Sequence, residues 1–374
     1  MFASLLSTAQ SLFFTFVGIT GIGFLVIFHE FGHFICAKMF GMRVQSFSIG
    51  FGPHLASKKI GDTNFVLSAV PLGGYVDMGS PEGQENDAYS FTARPWYQKF
   101  FVIIGGIAFN VLFAYVVFSA LFMAGMPESP ALFPQNAVTV LKTVEKDSVA
   151  AKAGLQANDA VIAVNGQPTN RNVQTLIDLL QPVAGQKATL TIERDGKPQD
   201  IEINLGTRQF MGKTYGSITG STYLLTPLAP LGLWDSIKRG IQLTHTHFYN
   251  TLTAFKYLFR SGDTSNLVGP VMIFSASIKG AAQGIKIFLI FLAIISISLA
   301  VLNLIPLPVL DGGRLLIYTI EAVIRREIPE RAKEYIFIVT WIGLLALTVF
   351  MVGKDIMNLA GNYIDSILHF LKLK

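Results

Sequence analysis

The sequence predicts a polytopic α-helical membrane protein with four transmembrane helices. A membrane-associated β-hairpin region lies between the first two, and an α+β domain is inserted between the second and third. Three observations carry this reading. Charged residues make up 14% of the 374 residues, against about 25% in soluble domains. The mean hydropathy is +0.49, and Phe alone contributes 30 residues. The apolar residues are also clustered into four runs separated by polar segments, the pattern of a chain that crosses a bilayer. The single cysteine, Cys36, excludes an intramolecular disulfide, a cysteine-rich zinc module and an iron–sulfur cluster. The net charge of +5 is dispersed, so no nucleic acid is expected as a partner.

The spans fall at residues 12–37, 100–124, 285–305 and 335–352, each near the twenty apolar residues that about 30 Å of hydrocarbon requires. No Lys or Arg precedes residue 28, so the expectation for the first run is a span and not a cleaved secretory signal. Basic residues follow the first span (Lys38, Arg43, Lys58, Lys59) and the third (Arg314, Arg325, Arg326, Arg331, Lys333). The positive-inside rule assigns both loops to the cytoplasm. Both termini and residues 125–284 are then expected outside it. This divides the chain into residues 1–124, 125–210, 211–284 and 285–374. The third of these is read as a linker followed by an amphipathic surface helix at 233–259, with Lys238, Arg239 and Lys256 toward headgroups. Residues 355–373 are read as a second helix of that kind.

Between the first two spans, two Gly-punctuated, strand-like segments flank Gly61-Asp62 as a turn. They predict either a sheet dipping into the membrane beside protein or a cytoplasmic hairpin, and periodicity does not separate these. Within the insert, residues 136–205 alternate between strand and helix patterns. Strand-like 137–144 leads to a short helix at 148–153, closed by Gly154. Strand 159–164 turns at Asn165-Gly166, and helix 172–180 places Val173, Leu176, Ile177 and Leu180 on one face. Strands 187–194 and 199–204 are joined by Asp195-Gly196. This order, with AGLQANDAVIAVNG at its centre, resembles the PDZ domain of bacterial proteases; another small α+β domain is the alternative. That family usually has Gly where Asn158 stands, and Asn is the side chain best able to keep a left-handed turn.

The chemistry concentrates in His29-Glu30-Phe31-Gly32-His33. On a helix, positions i and i+4 share a face, so both imidazoles can bind one metal while Glu30 stays near its water as general base. Zinc suits this ligand set, and catalytic zinc takes three protein ligands. The apolar run before His29 sets the motif near the inner end of the hydrocarbon, where ionisable groups are functional by default. His54, His245, His247 and His369 have no partner motif. Asp311, in NLIPLPVLDGG at 303–313, follows the third span. The first and third spans run in the same direction, so their C-terminal ends meet on one side and bring Asp311 to the depth of the histidines. Pro306 and Pro308 break the helical ladder there and free backbone groups. Asn303 suits either a substrate hydrogen bond or a helix–helix bond. Asn110, inside the second span, reads as a helix–helix bond.

These residues resemble the site-2 protease family of intramembrane zinc metalloproteases, and within it the bacterial regulator of sigma-E type. The likeness extends over most of the chain through IGFGP (49–53), PLGGYV (71–76) and NLVGP (266–270). Two departures stand out: that type carries two tandem PDZ domains where this chain has room for one, and commonly His where Arg314 stands. The resemblance implies hydrolysis of a peptide bond inside a substrate's transmembrane segment. It makes His29, His33 and Asp311 the ligands of one zinc ion and Glu30 the general base. Gly73, Gly74 and Tyr75 become candidate contacts to an unwound substrate strand, joined by Asn303, Pro306 and Pro308. It further implies a multi-pass protein of the bacterial inner membrane. Its substrate is a single-span membrane protein, either an anti-sigma factor or a remnant signal peptide, whose outer segment the PDZ domain contacts. The competing readings are a transporter using the same residues as a proton relay, a scaffold with a dead metal site, and a soluble-type zinc protease on an anchor.

Overall fold

The computed structural model describes residues 2–79, 89–210, 213–264 and 267–370. In chain order it contains α1 (Phe2–Met39), β1 (Ser46–Ile60), β2 (Thr63–Asp77) and α2 (Trp96–Ala124). The insert follows as β3 (Ala137–Val144), α3 (Val149–Lys152), β4 (Ala160–Val164), β5 (Gln167–Pro168), α4 (Val173–Leu180), β6 (Lys187–Arg194), β7 (Lys197–Asn204), β8 (Gly206–Phe210), β9 (Lys213–Ser217) and β10 (Ser221–Leu225). Five helices complete the chain: α5 (Leu233–Ser261), α6 (Pro270–Gln283), α7 (Ile285–Asn303), α8 (Asp311–Ile324) and α9 (Glu330–Phe370). Four of the helices are long and apolar enough to cross a membrane, over Thr8–Met39, Trp96–Ala124, Ile285–Asn303 and Glu330–Ala360.

The chain divides into two compact units, one of residues 1–120, 237–252 and 263–374, the other of 121–236 and 253–262. In the first unit, glycine lets helices and strands approach backbone to backbone. A Cβ on Gly32 of α1 would lie 2.3 Å from the Gly105 carbonyl oxygen of α2, and one on Gly18 would lie 2.9 Å from the Ile278 backbone of α6. Ser277 of α6 donates to the Gly18 carbonyl at 2.8 Å. Without a hydrophobic drive between helices in lipid, such close contacts and interhelical hydrogen bonds hold them together. Leu25, Ala281, Phe288 and Leu292 form one buried cluster, and Ala37, Met42, Val44 and Val102 another.

β1 and β2 are long strands joined through Gly61-Asp62. Ser46–Ile49 has partners on both sides: Gly74–Asp77 in antiparallel register, and Asn64–Leu67 in ascending register. A Cβ on Gly23 of α1 would lie 2.1 Å from the Pro71 carbonyl oxygen, and Gly73 and Gly74 face Val26 and Ile27. The strands therefore run alongside the apolar stretch of α1. Their exposed face carries Ile49, Phe51, Leu55, Leu67, Val70 and Leu72, the composition of a lipid-facing surface.

The fourth span differs from expectation. Residues 335–352 and 355–373 were expected as two elements, but α9 is one helix to Phe370. Asp355 does not interrupt it, because this buried carboxylate accepts from the backbone N–H groups of Gly269 (3.2 Å) and Met272 (3.0 Å). It thus satisfies the start of α6, which has no side-chain cap of its own. Asn266 of the NLVGP segment and residues 371–373 lie outside the described residues.

In the second unit a six-stranded sheet has the order β10-β3-β4-β6-β7, with β5 paired to β4. Leu141, Val161, Leu176, Leu180, Leu190 and Ile192 fill its core. Asn158 adopts φ +72°, the left-handed turn read from the sequence. Asn172 caps α4 by accepting from the Thr175 N–H at 3.1 Å. Residues 213–225, expected as linker, supply β9 and the edge strand β10, whose pairing with β3 joins positions about eighty residues apart.

Candidate metal centre

Helix α1 places His29 and His33 one turn apart, and the loop between α7 and α8 brings Asp311 to them. His29 Nε2 and His33 Nε2 lie 3.0 Å and 3.2 Å from Asp311 Oδ2, and 3.1 Å from each other. Both imidazoles are buried, each 7% exposed.

The hydrogen bonds behind these atoms decide what the triangle can hold. His33 Nδ1 lies 2.8 Å from the Val102 carbonyl oxygen of α2. A carbonyl only accepts, so Nδ1 carries the proton and Nε2 keeps a lone pair. His29 Nδ1 lies 3.1 Å from the Asn110 carboxamide, whose Oδ1 is otherwise buried without a partner. Turning the amide lets Oδ1 accept from Nδ1–H, and O and N of an amide are assigned from such networks. His29 Nε2 then also presents a lone pair. Asp311 Oδ2 is buried with no hydrogen-bond donor of its own. With both imidazoles neutral, three lone pairs converge on one point, an arrangement that a cation bound there satisfies. A triangle of this size has a circumradius of about 1.8 Å. A point roughly 1 Å out of its plane is at the 2.0–2.1 Å bonding distance of zinc from all three atoms. The donor set fits the metal.

Two features of the surroundings escaped the sequence reading. Asn110 is fully buried and backs His29; the signal was a lone amide in an apolar span, since a ligating histidine needs a partner for its second nitrogen. Gly106, four residues earlier on α2, leaves the space the imidazoles occupy. A Cβ there would lie 2.5 Å from His33 Nε2 and 2.8 Å from His29 Cε1. Ser296 of α7 donates to the Asn110 carbonyl at 2.8 Å, tying a third helix to the same point.

A cavity of about 760 Å³ opens onto this centre, lined by Glu30, His33 and Asp311 and by Val76, Pro308 and Arg314 among others. Of the other predicted contact residues, Gly73 and Gly74 are buried against α1, and Tyr75 is 37% exposed on the same strand, just before cavity-lining Val76. Asn303 ends α7, half-buried, and Pro306 is exposed; the described lining includes neither. Gly312 and Gly313 allow the tight loop that delivers Asp311, since a Cβ on Gly313 would lie 2.1 Å from the Leu307 carbonyl.

The model of Peptidase family M50 matches residues 17–347. A protein of Campylobacter jejuni named as a zinc metalloprotease is 30% identical over 355 residues, covering 91% of this chain and 92% of its own. One of Clostridium perfringens, named likewise, is 32% identical over 343 residues, covering 89% and 95%. The chloroplastic membrane metalloprotease ARASP of Arabidopsis thaliana is 29% identical over 362 residues, covering 90% of this chain and 77% of its own.

Proposed function

This chain belongs to peptidase family M50 and is a membrane-embedded zinc metalloprotease with one catalytic zinc ion, and on that premise we propose that it cleaves peptide bonds within the transmembrane segments of single-span membrane proteins. The observation that carries the reading is the convergence of His29, His33 and Asp311 near the ends of apolar helices, with His33 and Asp311 lining the same cavity as Glu30. His29, His33 and Asp311 are the zinc ligands. Zinc bound there supplies a Lewis acid and an acidified water. Glu30 takes a proton from the attacking water and hands it to the amide nitrogen as the C–N bond breaks. Val102 and Asn110 hold both imidazoles in orientation through their Nδ1 atoms. A helical substrate must unwind first, because its amides are hydrogen-bonded and shielded. β2 near Gly73, Gly74 and Tyr75 stabilises the extended strand by main-chain pairing, and cavity-lining Pro308 bounds its other side.

The substrates in this reading are anti-sigma factors, remnant signal peptides, or both. The protein sits in the bacterial inner membrane. Its termini and the insert, a PDZ-type domain, lie outside the cytoplasm, and the insert selects substrates through their outer segments. Cysteines introduced at Lys58 and Arg326 in a Cys36→Ser background should react with reagent from the cytoplasm, and one at Asp195 from outside. Labelling of position 326 from outside overturns the topology.

Cleavage tests the activity itself. The full chain in proteoliposomes should cut a single-span reporter inside its membrane segment, stop when a chelator removes the metal, and resume when zinc is restored. An intact reporter with stoichiometric zinc bound defeats the proposal. Asn110→Leu should weaken zinc retention by about 10–100-fold, the cost of losing a ligand's hydrogen-bond partner; chelator competition reads this, and unaltered affinity means that Asn110 serves packing alone.

A further inference from the structure

Asp311 and Arg314 are three residues apart on α8, so they project from neighbouring points of one helix face, and both line the cavity that contains Glu30. Three strong cations line that cavity: Lys99, Arg314 and Lys333. Two are engaged. Lys333 pairs with Glu321 at 2.8 Å and Glu330 at 3.1 Å, and the Lys99 ammonium stands 4.9 Å from the Tyr318 ring centre. The Arg314 backbone N–H donates to the Leu310 carbonyl at 3.2 Å, but among the described residues its guanidinium makes neither ion pair nor hydrogen bond. A guanidinium carries five donors in a planar fork. Here, on an exposed side chain, they have no protein acceptor among the described residues, and they share a cavity with the hydrolytic group.

We propose that Arg314 is a further catalytic residue, donating hydrogen bonds to the scissile carbonyl oxygen as negative charge collects on it. The proposal rests on Glu30 being the general base. When the water oxygen bonds to the carbonyl carbon, the π pair moves onto the carbonyl oxygen and the water proton goes to Glu30. Collapse re-forms the C=O bond, breaks the C–N bond, and the proton passes from Glu30 to nitrogen. Arg314 gains and loses no proton. Its donors face an oxygen that is neutral in the substrate and anionic at the barrier, so the interaction is stronger in the transition state than in the ground state. Lysine presents a point charge and not a fork, so Arg314→Lys should restore little.

The test uses the zinc-loaded full chain in proteoliposomes. Arg314→Gln should lower kcat about 10²–10³-fold, the usual effect of removing one oxyanion donor, with KM, zinc content and thermal stability unchanged. A peptide phosphinate, which imitates the tetrahedral anion, should lose affinity by a similar factor. Uncut substrate should bind equally to Glu30→Gln and to the Glu30→Gln/Arg314→Gln pair. Guanidinium ion should partly restore kcat to Arg314→Ala, which a structural role would not allow. A wild-type kcat in Arg314→Gln overturns the proposal while the Glu30 assignment stands, and so does a reduced kcat with full phosphinate affinity. Wild-type cleavage by Glu30→Gln overturns the underlying assignment, and this proposal with it.

Discussion

Glu30→Gln is expected to reduce cleavage by at least about 10²–10⁴-fold, the contribution of a positioned general base, while zinc remains at one ion per chain. Glutamine keeps the size of the side chain but cannot take the water proton. None of the three converging donor atoms belongs to Glu30, so the metal has no reason to leave. Asp311→Asn should separate the two properties in the other direction. A neutral amide is a poorer ligand than a carboxylate, and the buried Oδ2 that closes the triangle is lost. Zinc content should fall first, and activity with it, recovering in part at high zinc. Metal analysis and reporter cleavage on the same preparations measure both. Zinc loss in Glu30→Gln, or full retention in Asp311→Asn, would show that the ligand set has been assigned to the wrong atoms.

The second large effect is expected at a residue without a side chain. Gly106→Val should abolish zinc binding and cleavage together. Its Cβ alone would sit 2.5 Å from His33 Nε2 and 2.6 Å from Cε1, closer than atoms approach, so the imidazole must swing away from Asp311. Displacement by about 1 Å already costs roughly 10²-fold in catalysis, and Gly106→Ala should show at least that. Gly343→Ala on α9 is the control. Nothing lies within 4 Å of the added carbon, and alanine favours a helix over glycine by up to about 1 kcal/mol, so activity should be kept. A Gly106→Val chain that holds zinc and cuts the reporter would mean that the histidines do not use the arrangement described.

Helical period and span direction were enough to bring His29, His33 and Asp311 into one neighbourhood. Both signals are local: four residues make one turn, and two spans separated by a third run the same way. The insert was legible for the same reason. Asn165-Gly166 and Asp195-Gly196 mark turns, and alternation marks the strands that the structure contains at 137–144 and 187–194. Membership of the M50 family adds to this that the chain is a zinc protease.

Tertiary structure alone decided the rest. Asp355 looked like the end of a span, because the sequence does not reveal that the amides of Gly269 and Met272, more than eighty residues away, donate hydrogen bonds to it. The hairpin's place beside α1 depended on Gly23 meeting Pro71, a contact between an absent side chain and a carbonyl. Asn110 and Val102 acquire meaning only from the imidazole nitrogens they face, eighty-one and sixty-nine residues distant. Periodicity records which side of an element is apolar, a property of neighbouring residues. It carries no information on which backbone atom lies opposite across the bundle. The open space at Gly106 and the hydrogen bonds that orient the two imidazoles are relations of that second kind, and folding alone creates them.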